Sequence, residues 1–454
     1  MSEILGSLWW LIISLGVLVT LHEFGHFWVA RRCGVKVLRF SVGFGKPLWM
    51  RVGKDGTEYA IGRIPLGGYV KMLDEREYEV GETLAAQAFN RKSVWQRIAI
   101  TAAGPAANLI LCVLFLWGMF VIGRPDFAPV VGSVSGIAAE SGLRRGDTVL
   151  QIGDRATPTW SEVQMALIPH ALDRDDVAVQ VRSENGSPLT RHLRLSKLPA
   201  SFDERRAVEV MGLSGRHQLI PAVIGRIRPG EAAWGVLAEG DRITAIDGDP
   251  IASWNDIAPA IARLGERGGD AMIEVARNGD RLALEIAPKR MKRDNGEQFW
   301  ALGVEPPATI REPKRDAVLR YGPIDAVPAA FRESVHQARE LFAMIGRAFT
   351  GRVSIQNTVA GPVTIGRAAN AYASNGPAWY LQLLAMLSLS LGILNLLPIP
   401  ILDGGHLLYY LIELVKGSPV SERVMAAGHF VGLALIASLM GLAFYNDILN
   451  NLVR

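Results

Sequence analysis

Four long apolar segments constrain this chain more than any other feature. They cover residues 8–30, 98–123, 379–397 and 424–445. Each is close to the roughly 20 residues that an α-helix needs to cross a bilayer. Hydrophobic residues make up 49% of the 454 residues, yet charged residues still make up 20%, so a substantial part of the chain must lie in water. The sequence therefore predicts a polytopic α-helical membrane protein with four transmembrane helices and a large region outside the bilayer.

Basic residues beside the first two apolar segments indicate how the chain is oriented. Cytoplasmic loops of membrane proteins are enriched in Lys and Arg, so the loop between these segments is predicted to be cytoplasmic. Four spans then place both termini, and the region at about 124–377, on the opposite side. Glu413, Lys416 and Arg423 are interpreted as a solvated cytoplasmic face. The basic flanking residues are Arg31, Arg32, Lys36, Arg39, Lys46, Arg51, Arg91, Lys92 and Arg97.

The first apolar segment contains the sequence His22-Glu23-Phe24-Gly25-His26. Residues four apart lie on one face of a helix, so both histidines can bind one metal ion, and Glu23 lies beside them as a base. Ionisable side chains within a span are costly and usually functional, although a purely structural histidine pair remains an alternative. Counting about 1.5 Å per residue from Arg31, His22 lies roughly 13 Å into the span. The motif predicts a zinc-dependent peptidase that cuts within a membrane segment.

A catalytic zinc ion needs a third protein ligand and an open position, and Asp403 is the best candidate for that ligand. It follows Pro398 and Pro400, which interrupt the third apolar segment. Irregular backbone at membrane depth is tolerated where it is buried in protein or lines a cavity, as in an active site. A turn aspartate at the membrane surface is the alternative. His406 is left outside the site, and His429 is interpreted as a polar contact within the helix bundle.

The region between the second and third apolar segments contains an internal repeat. Residues 146–152 (GDTVLQI) followed by Trp160 return as residues 240–246 (GDRITAI) followed by Trp254, with the same offset of 94 throughout. Alternating apolar residues and Asn-Gly turns predict a β-rich domain in each copy. The chain is predicted to begin with a helix that carries the HEFGH motif at 1–30, a cytoplasmic loop with a membrane-associated hairpin at 31–97, and a helix at 98–123. The β-rich domains are predicted at 128–216 and 221–308, followed by an amphipathic connector at 313–375. A helix with the Leu-Asp-Gly motif is predicted at 376–405 and another helix at 424–446.

The two copies resemble the PDZ domains of bacterial envelope proteases through residues 142–147 (GLRRGD) and 237–241 (LAEGD). The resemblance implies a groove that accepts an extended peptide as an added strand, and a loop for its carboxylate. The second copy has Val236 where the first has Gly142, so its loop departs from the pattern. Domains that only limit access sterically are an alternative. The implied loop residues of the first copy are Gly142, Leu143, Gly146 and Asp147.

The chain as a whole resembles the site-2 protease family of intramembrane metalloproteases. The resemblance rests on the HEFGH motif, on residues 395–405 and on residues 104–108 (GPAAN), and it covers nearly the whole chain. It implies one Zn²⁺ per chain, held by His22, His26 and Asp403, with Glu23 as the general base. It also implies that a hairpin around residues 64–71 presents an edge to an unwound substrate. The implied substrate-binding residues are Asn395, Gly67, Gly68 and Tyr69.

The resemblance further implies a substrate and a location. The expected substrate is the transmembrane segment of a protein or peptide, either an anti-sigma factor already trimmed in an envelope stress response or a signal-peptide remnant. The expected location is the lipid bilayer of a bacterial inner membrane, with both termini and the PDZ-like domains periplasmic, the active site toward the cytoplasm, and a monomer as the working form. No basic run interleaved with aromatic residues suggests nucleic acid. A catalytically inactive PDZ scaffold and a membrane non-heme iron enzyme, which also uses two histidines and a carboxylate, remain alternatives.

Overall fold

The computed structural model describes residues 2–76, 79–199, 202, 206–292, 298–309, 313–354 and 359–451. The chain forms two compact units. The first, called the membrane unit, comprises Met1–Pro125 and Val318–Arg454. The second, called the repeat unit, comprises Asp126–Ala317.

Four helices in the described part of the membrane unit are long and apolar enough to cross a bilayer, as the sequence predicted. The second begins at Ser93, whose side-chain oxygen accepts a hydrogen bond from the backbone N–H of Gln96 at 3.3 Å. The Gln96 side chain accepts one from the Ser93 N–H at 3.2 Å, which completes a capping box. The four helices, called the first to fourth spans, are Ser2–Arg32, Val94–Ile122, Pro377–Leu396 and Glu422–Asn451.

The third span is shorter than the helix expected at 376–405, because it ends at Leu396. Proline lacks the N–H that continues a helix, and it forces the residue before it into an extended conformation. Leu397, which precedes Pro398, accordingly has φ −63° and ψ 143°. A separate helix, called the Asp403 helix, then runs over Asp403–Lys416.

Among the described residues of the predicted connector, two further helices of the membrane unit run over Ala326–Phe349 and Pro362–Ser374. The first of them packs against the second and third spans through Ala326, Ala329 and Ala330, which belong to one buried cluster with Leu116 and Leu389. Small residues on this face let the helices approach closely, as is common where helices pack within a membrane.

A curled hairpin, called the membrane hairpin, joins the first two spans through strands Val37–Val52 and Glu58–Met72. Phe40 lies opposite both Val70 and Tyr59, so the segment at 37–42 has a partner on each side. Residues 68–72 pair with that segment alone and therefore form an edge. Phe27 of the first span packs edge-on against Phe40 and Tyr59, which fixes the hairpin to the span. A short helix, Glu82–Ala85, precedes the second span.

The repeat unit contains two four-stranded sheets with the same strand order. In each sheet, a short strand lies at one edge. Beside it lies the strand that precedes it in the chain, and the two strands of a hairpin complete the sheet. Each sheet buries alternate apolar residues against one helix, which is why each copy has its own core. The first sheet consists of Arg155–Ala156, Thr148–Ile152, Val177–Arg182 and Pro188–Leu193 with helix Trp160–Asp173, and the second of Asp249–Pro250, Arg242–Ile246, Ala271–Arg277 and Asp280–Ile286 with helix Ile257–Arg267.

Shorter elements complete the repeat unit. Val131–Val134 pairs with Leu213–Gly215, Arg226–Ile227 with Val304–Glu305, and Lys289–Lys292 with Gln298–Ala301. Short α-helices in the described part of this unit include Gly136–Glu140 and Ala207–Val210. Short strands at Arg124–Asp126 and Ala317–Leu319 lie where the units adjoin along the chain.

Candidate active site

Three predicted metal ligands converge at the start of the Asp403 helix. The Nε2 atoms of His22 and His26 lie 3.2 Å apart, and Oδ2 of Asp403 lies 3.2 Å from the first and 3.4 Å from the second. One donor atom of each residue falls within 4.8 Å of the others. Among the described residues this is the one group of three or more His, Cys, Asp or Glu side chains with that geometry. Two nitrogens and a carboxylate oxygen within this distance suit a zinc ion that retains one open position.

The second span fixes the ring of His26. Nδ1 of His26 donates a hydrogen bond to the backbone carbonyl of Ile100 at 2.8 Å. Because a carbonyl oxygen can only accept, this contact keeps the ring proton on Nδ1 and leaves the Nε2 lone pair for a metal. The ring is buried, with 9% of the residue exposed, so water does not compete for this bond.

Asn108 on the same span holds His22. Its Nδ2 atom donates to Nδ1 of His22 at 3.1 Å, while its Oδ1 atom is buried with no partner among the described residues. When Nε2 of His22 binds a metal, Nδ1 carries the ring proton, and an amide turned through 180° accepts that proton through Oδ1. The backbone carbonyl of Asn108 accepts a hydrogen bond from the Ser388 hydroxyl at 2.8 Å, which ties the third span to this point.

Gly104 allows the second span to approach both histidines. A Cβ atom on Gly104 would overlap Nε2 of His26 and would lie 2.8 Å from Cε1 of His22. The sequence analysis assigned no role to Gly104 or Asn108, although both belong to the GPAAN segment. A glycine four residues before an asparagine within an apolar helix was the available signal.

Glu23 lies between the two histidines and is held by the membrane hairpin. Its carboxylate accepts a hydrogen bond from the backbone N–H of Val70 on the edge segment. Gly68 makes this approach possible, because a Cβ there would lie 2.7 Å from the carbonyl oxygen of Ser41 and 3.3 Å from Cγ of Glu23. The candidate base is therefore oriented by backbone from a different element.

Two glycines set the start of the Asp403 helix against the end of the third span. A Cβ on Gly404 would overlap the carbonyl of Leu397, and one on Gly405 would overlap that of Ile399. Ile401, just before the helix, has φ 143°, a conformation that side-chain-bearing residues rarely adopt. Such strain persists only where surrounding structure imposes it, as it commonly does at functional sites.

The three candidate ligands and Glu23 line one cavity of about 860 Å³ in the membrane unit. Tyr69 and Asn395, two of the predicted substrate-binding residues, are on its wall, whereas Gly67 and Gly68 lie in the adjoining strand and do not line it. His406, which the sequence analysis left outside the site, and His429, which it interpreted as a polar contact within the helix bundle, also line the cavity, with ring centres 5.8 Å apart.

A charged pair lies on the wall of the same cavity, formed by Asp74 and Arg76. Burial would raise the pKa of the Asp74 carboxyl, but the two hydrogen bonds from the Arg76 guanidinium, at 2.9 and 2.6 Å, outweigh it and lower the pKa. Asp74 is therefore a carboxylate at neutral pH, and the cavity carries fixed charges of both signs.

The loop predicted to bind a peptide carboxylate in the first repeat is closed by its own aspartate. Oδ2 of Asp147 accepts the backbone N–H of Arg144 at 2.9 Å, and Gly142 and Gly146 have φ of 83° and 86°. Leu143 is buried in the first core with 2% exposed, so it can offer a peptide only its backbone. Asp241, 94 residues after Asp147, accepts the N–H of Ala238 in the same way at 2.8 Å.

Residues 10–439 match peptidase family M50, and the chain belongs to this family of site-2 metalloproteases. A protein of Xylella fastidiosa named "Putative zinc metalloprotease" is 50% identical over 450 residues, which is 99% of this chain and 100% of that protein. The "Regulator of sigma-E protease RseP" of Escherichia coli is 41% identical over 441 residues, covering 96% and 97%. The "Protease RseP" of Yersinia pestis is 39% identical over 452 residues, covering 98% and 99%. The family inferred from the sequence is confirmed, and the chain is a metalloprotease.

Proposed function

We propose that this chain is a zinc-dependent intramembrane protease that hydrolyses a peptide bond within the transmembrane segment of another protein. One observation carries the proposal: His22, His26 and Asp403 converge beside Glu23 on one cavity, and the two histidines lie within a membrane-spanning helix. A peptide bond that reaches these residues must itself lie at membrane depth. One zinc ion per chain matches the single ligand group among the described residues.

The chain's own residues supply proton transfer and orientation. When bound, zinc supplies Lewis acidity that polarises the scissile carbonyl and makes a water molecule easier to deprotonate. Glu23 takes the proton from the attacking water and later delivers it to the leaving amine. The N–H of Val70 keeps the Glu23 carboxylate oriented toward the cavity during both steps.

The membrane hairpin and Asn395 are proposed to hold the substrate as an extended strand. A helix hides its carbonyl groups in internal hydrogen bonds, so the target segment must unwind before any carbonyl can be attacked. The edge formed by residues 68–72 can pair with the unwound segment, because an unpaired strand edge offers free backbone groups. Gly67 and Gly68 lie at the start of this edge and are proposed to bind the substrate through their backbone groups, and the Asn395 amide can bond to it from the cavity wall.

The two repeats are proposed to be PDZ-like domains that limit which substrates reach the cavity. A relative of this chain is named regulator of sigma-E protease, which supports a role in sigma-E regulation. The proposed substrate is accordingly an anti-sigma factor already trimmed by another protease, with signal-peptide remnants as a further candidate. The basic flanks of the first two spans support an inner-membrane protein with its termini and repeats in the periplasm, and with its active site toward the cytoplasm. A monomer is sufficient, since one chain supplies every residue named above.

The decisive experiment compares the membrane proteomes of cells that carry the wild-type chain, Glu23→Gln or Glu3→Gln. Glu3 lies on the same span and is exposed, so its variant removes the same charge away from the cavity. Uncut membrane fragments should accumulate with Glu23→Gln alone. If no membrane fragment differs between Glu23→Gln and the wild type, the proposed protease function is wrong.

Metal analysis separates this function from the iron alternative. Two histidines and one carboxylate would also suit a non-heme iron enzyme, but that class does not need a carboxylate placed as Glu23 is. The purified chain should contain zinc. Stoichiometric redox-active iron would favour the oxygenase instead.

A further inference from the structure

One face of the second span contacts every element that carries a candidate zinc ligand. Its residues recur at intervals of four, three and four, which places them along one side of an α-helix. Gly104 and Asn108 contact the histidines of the first span. Arg97 contacts the Asp403 helix through its hydrogen bonds to Glu413. The residues of this face, in order, are Arg97, Thr101, Gly104 and Asn108.

Asp403 needs support of its own, because it is the one ligand of the three that does not belong to the first span. The residues between the third span and the Asp403 helix are irregular and include Pro398, Pro400 and the strained Ile401. Close packing of Gly404 and Gly405 holds the first turn of the Asp403 helix against this segment. The rotation and axial position of the whole helix depend also on contacts further along it.

Glu413 anchors the far part of that helix to Arg97. Its two carboxylate oxygens accept hydrogen bonds from Nη1 and Nη2 of Arg97 at 3.1 and 2.7 Å. The two side chains are only 13% and 14% exposed, which contradicts the solvated face expected for Glu413. A bidentate guanidinium–carboxylate pair fixes both distance and angle, and a largely buried one is costly to break.

Further contacts hold the same pair in place. Nε of Arg97 donates to the backbone carbonyl of Lys92 at 3.2 Å, and its guanidinium lies 4.9 Å from the centre of the Tyr410 ring. The hydroxyl of Tyr410 hydrogen-bonds to Thr101. Tyr410 and Glu413 follow Asp403 by about two and three helical turns, so all three lie near one side of the helix.

We propose that Arg97, Glu413 and Tyr410 form a positioning clasp that sets the place of Asp403 relative to the two histidines. Glu413 lies about 15 Å along the helix from Asp403, and neither Glu413 nor Arg97 lines the cavity, whereas Tyr410 lies on its wall. The clasp acts by fixing the rotation and axial position of the Asp403 helix against the span that already holds both histidines. The inference rests on the proposed zinc protease function.

The test measures zinc affinity of the full-length chain in detergent by competition with a chromophoric chelator. Arg97→Glu and Glu413→Arg should each weaken zinc binding by about 10–100-fold, as loss of groups that support metal ligands generally does. The reversed pair, Arg97→Glu with Glu413→Arg, should recover most of that loss. Arg91→Glu is the matched control. Arg91 also pairs with a carboxylate, that of Glu75, but its side chain is 57% exposed, so the substitution should change the zinc affinity by less than about twofold.

Milder variants guard against loss of the folded protein. Arg97→Lys keeps the charge but loses the planar fork, and Glu413→Gln keeps the shape but loses the charge, so both should weaken zinc binding by less than the reversals do. At saturating zinc, these variants should lower kcat for a model substrate and leave KM nearly unchanged, since neither Arg97 nor Glu413 lines the cavity.

Two results would overturn the clasp while leaving the proposed function intact. One is wild-type zinc affinity in both mild variants, and the other is a folded reversed pair whose zinc affinity stays as low as that of the single variants. A wild-type chain that binds no zinc would overturn the proposed function and the clasp together.

Discussion

Nδ1 of His26 lies 2.8 Å from the backbone carbonyl oxygen of Ile100, 74 residues further along the chain. This bond joins the span that carries the histidines to the span that supports them. No side-chain substitution removes a carbonyl group, so the bond depends on how closely the two spans approach. That approach is set by Gly104, one helical turn beyond Ile100.

Gly104→Ala should therefore damage the metal centre without changing a ligand. The added methyl group must push the second span away from the rings of His22 and His26, which weakens the bond to Ile100. We expect zinc affinity to fall by about tenfold or more, measured by chelator competition. Gly16→Ala is the control, since a Cβ at Gly16 on the first span meets nothing within 4 Å. Equal zinc affinity in the two variants would show that the spans tolerate the separation.

Glu23→Gln should separate metal binding from catalysis. The three ligands remain, so zinc content should match that of the wild type, while loss of the proton acceptor should lower the cleavage rate by about 10²–10⁴-fold. The measurement is a single-turnover assay with a purified transmembrane substrate, with Glu3→Gln beside it. Near-normal cleavage by Glu23→Gln would require another residue to act as the base.

Asp241 should make the second repeat sensitive to acid. Hydrogen bonds from the Arg277 guanidinium, at 2.7 and 2.8 Å, lower the pKa of this buried carboxyl below its ordinary value near 3.9. A lowered folded-state pKa gives stability that is complete above the unfolded-state pKa and disappears as the pH falls through the folded-state pKa. Stability from Asp241 should therefore be constant at neutral pH and decline below about pH 4.

Asp241→Asn tests that sensitivity in the full-length chain. At pH 7 the variant should lose about 2 kcal/mol of local stability, the usual scale for hydrogen bonds to a charged group, and the difference from the wild type should shrink below about pH 4. Hydrogen exchange over residues 271–286 provides the measurement. Asp249→Asn is the control, because Asp249 pairs with Arg263 while both are more than half exposed. If the stability difference between Asp241→Asn and the wild type grew as the pH fell, the lowered pKa assigned to Asp241 would be wrong.

The orientation of the chain predicts where reporter fusions are active. A reporter that works only in the periplasm should be active when it is fused near Ser187 in the first repeat. Near Tyr78, which lies outside the described residues, only a reporter that works in the cytoplasm should be active. Paired fusions at each position, with expression checked by immunoblotting, give the comparison. The reverse pattern would overturn the assignment of the two sides.

Removal of the repeats should relax substrate choice. Residues 130–306 lie within a compact unit with two cores of its own, so their deletion with a short linker should leave the ligand cluster of the membrane unit intact. Zinc content should stay normal, and an untrimmed substrate should now be cut as readily as a trimmed one. Immunoblots of both substrates against intact and deleted enzyme measure this. If the deleted enzyme still distinguishes the two substrates, the repeats do not act as the filter.

Local periodicity determined a large share of this protein from the sequence alone. The spacing of His22 and His26 places two ligands on one helical face whatever surrounds them, with Glu23 between them. Length and composition identified the four spans. Self-similarity at an offset of 94 predicted two β-rich domains, and the repeat unit contains two four-stranded sheets with the same strand order. Proline chemistry indicated a break before Asp403, although the expected third helix extended too far because the sequence did not show where a new helix begins.

Tertiary structure alone decided which distant groups support those ligands. The carbonyl of Ile100 has no sequence signature, because every residue has one and only packing selects which carbonyl faces His26. Glu413 was expected in solvent, yet it pairs with Arg97, 316 residues away. The physical reason is that helix geometry depends on neighbours within a few residues, whereas the partner of a buried charge depends on how whole helices pack.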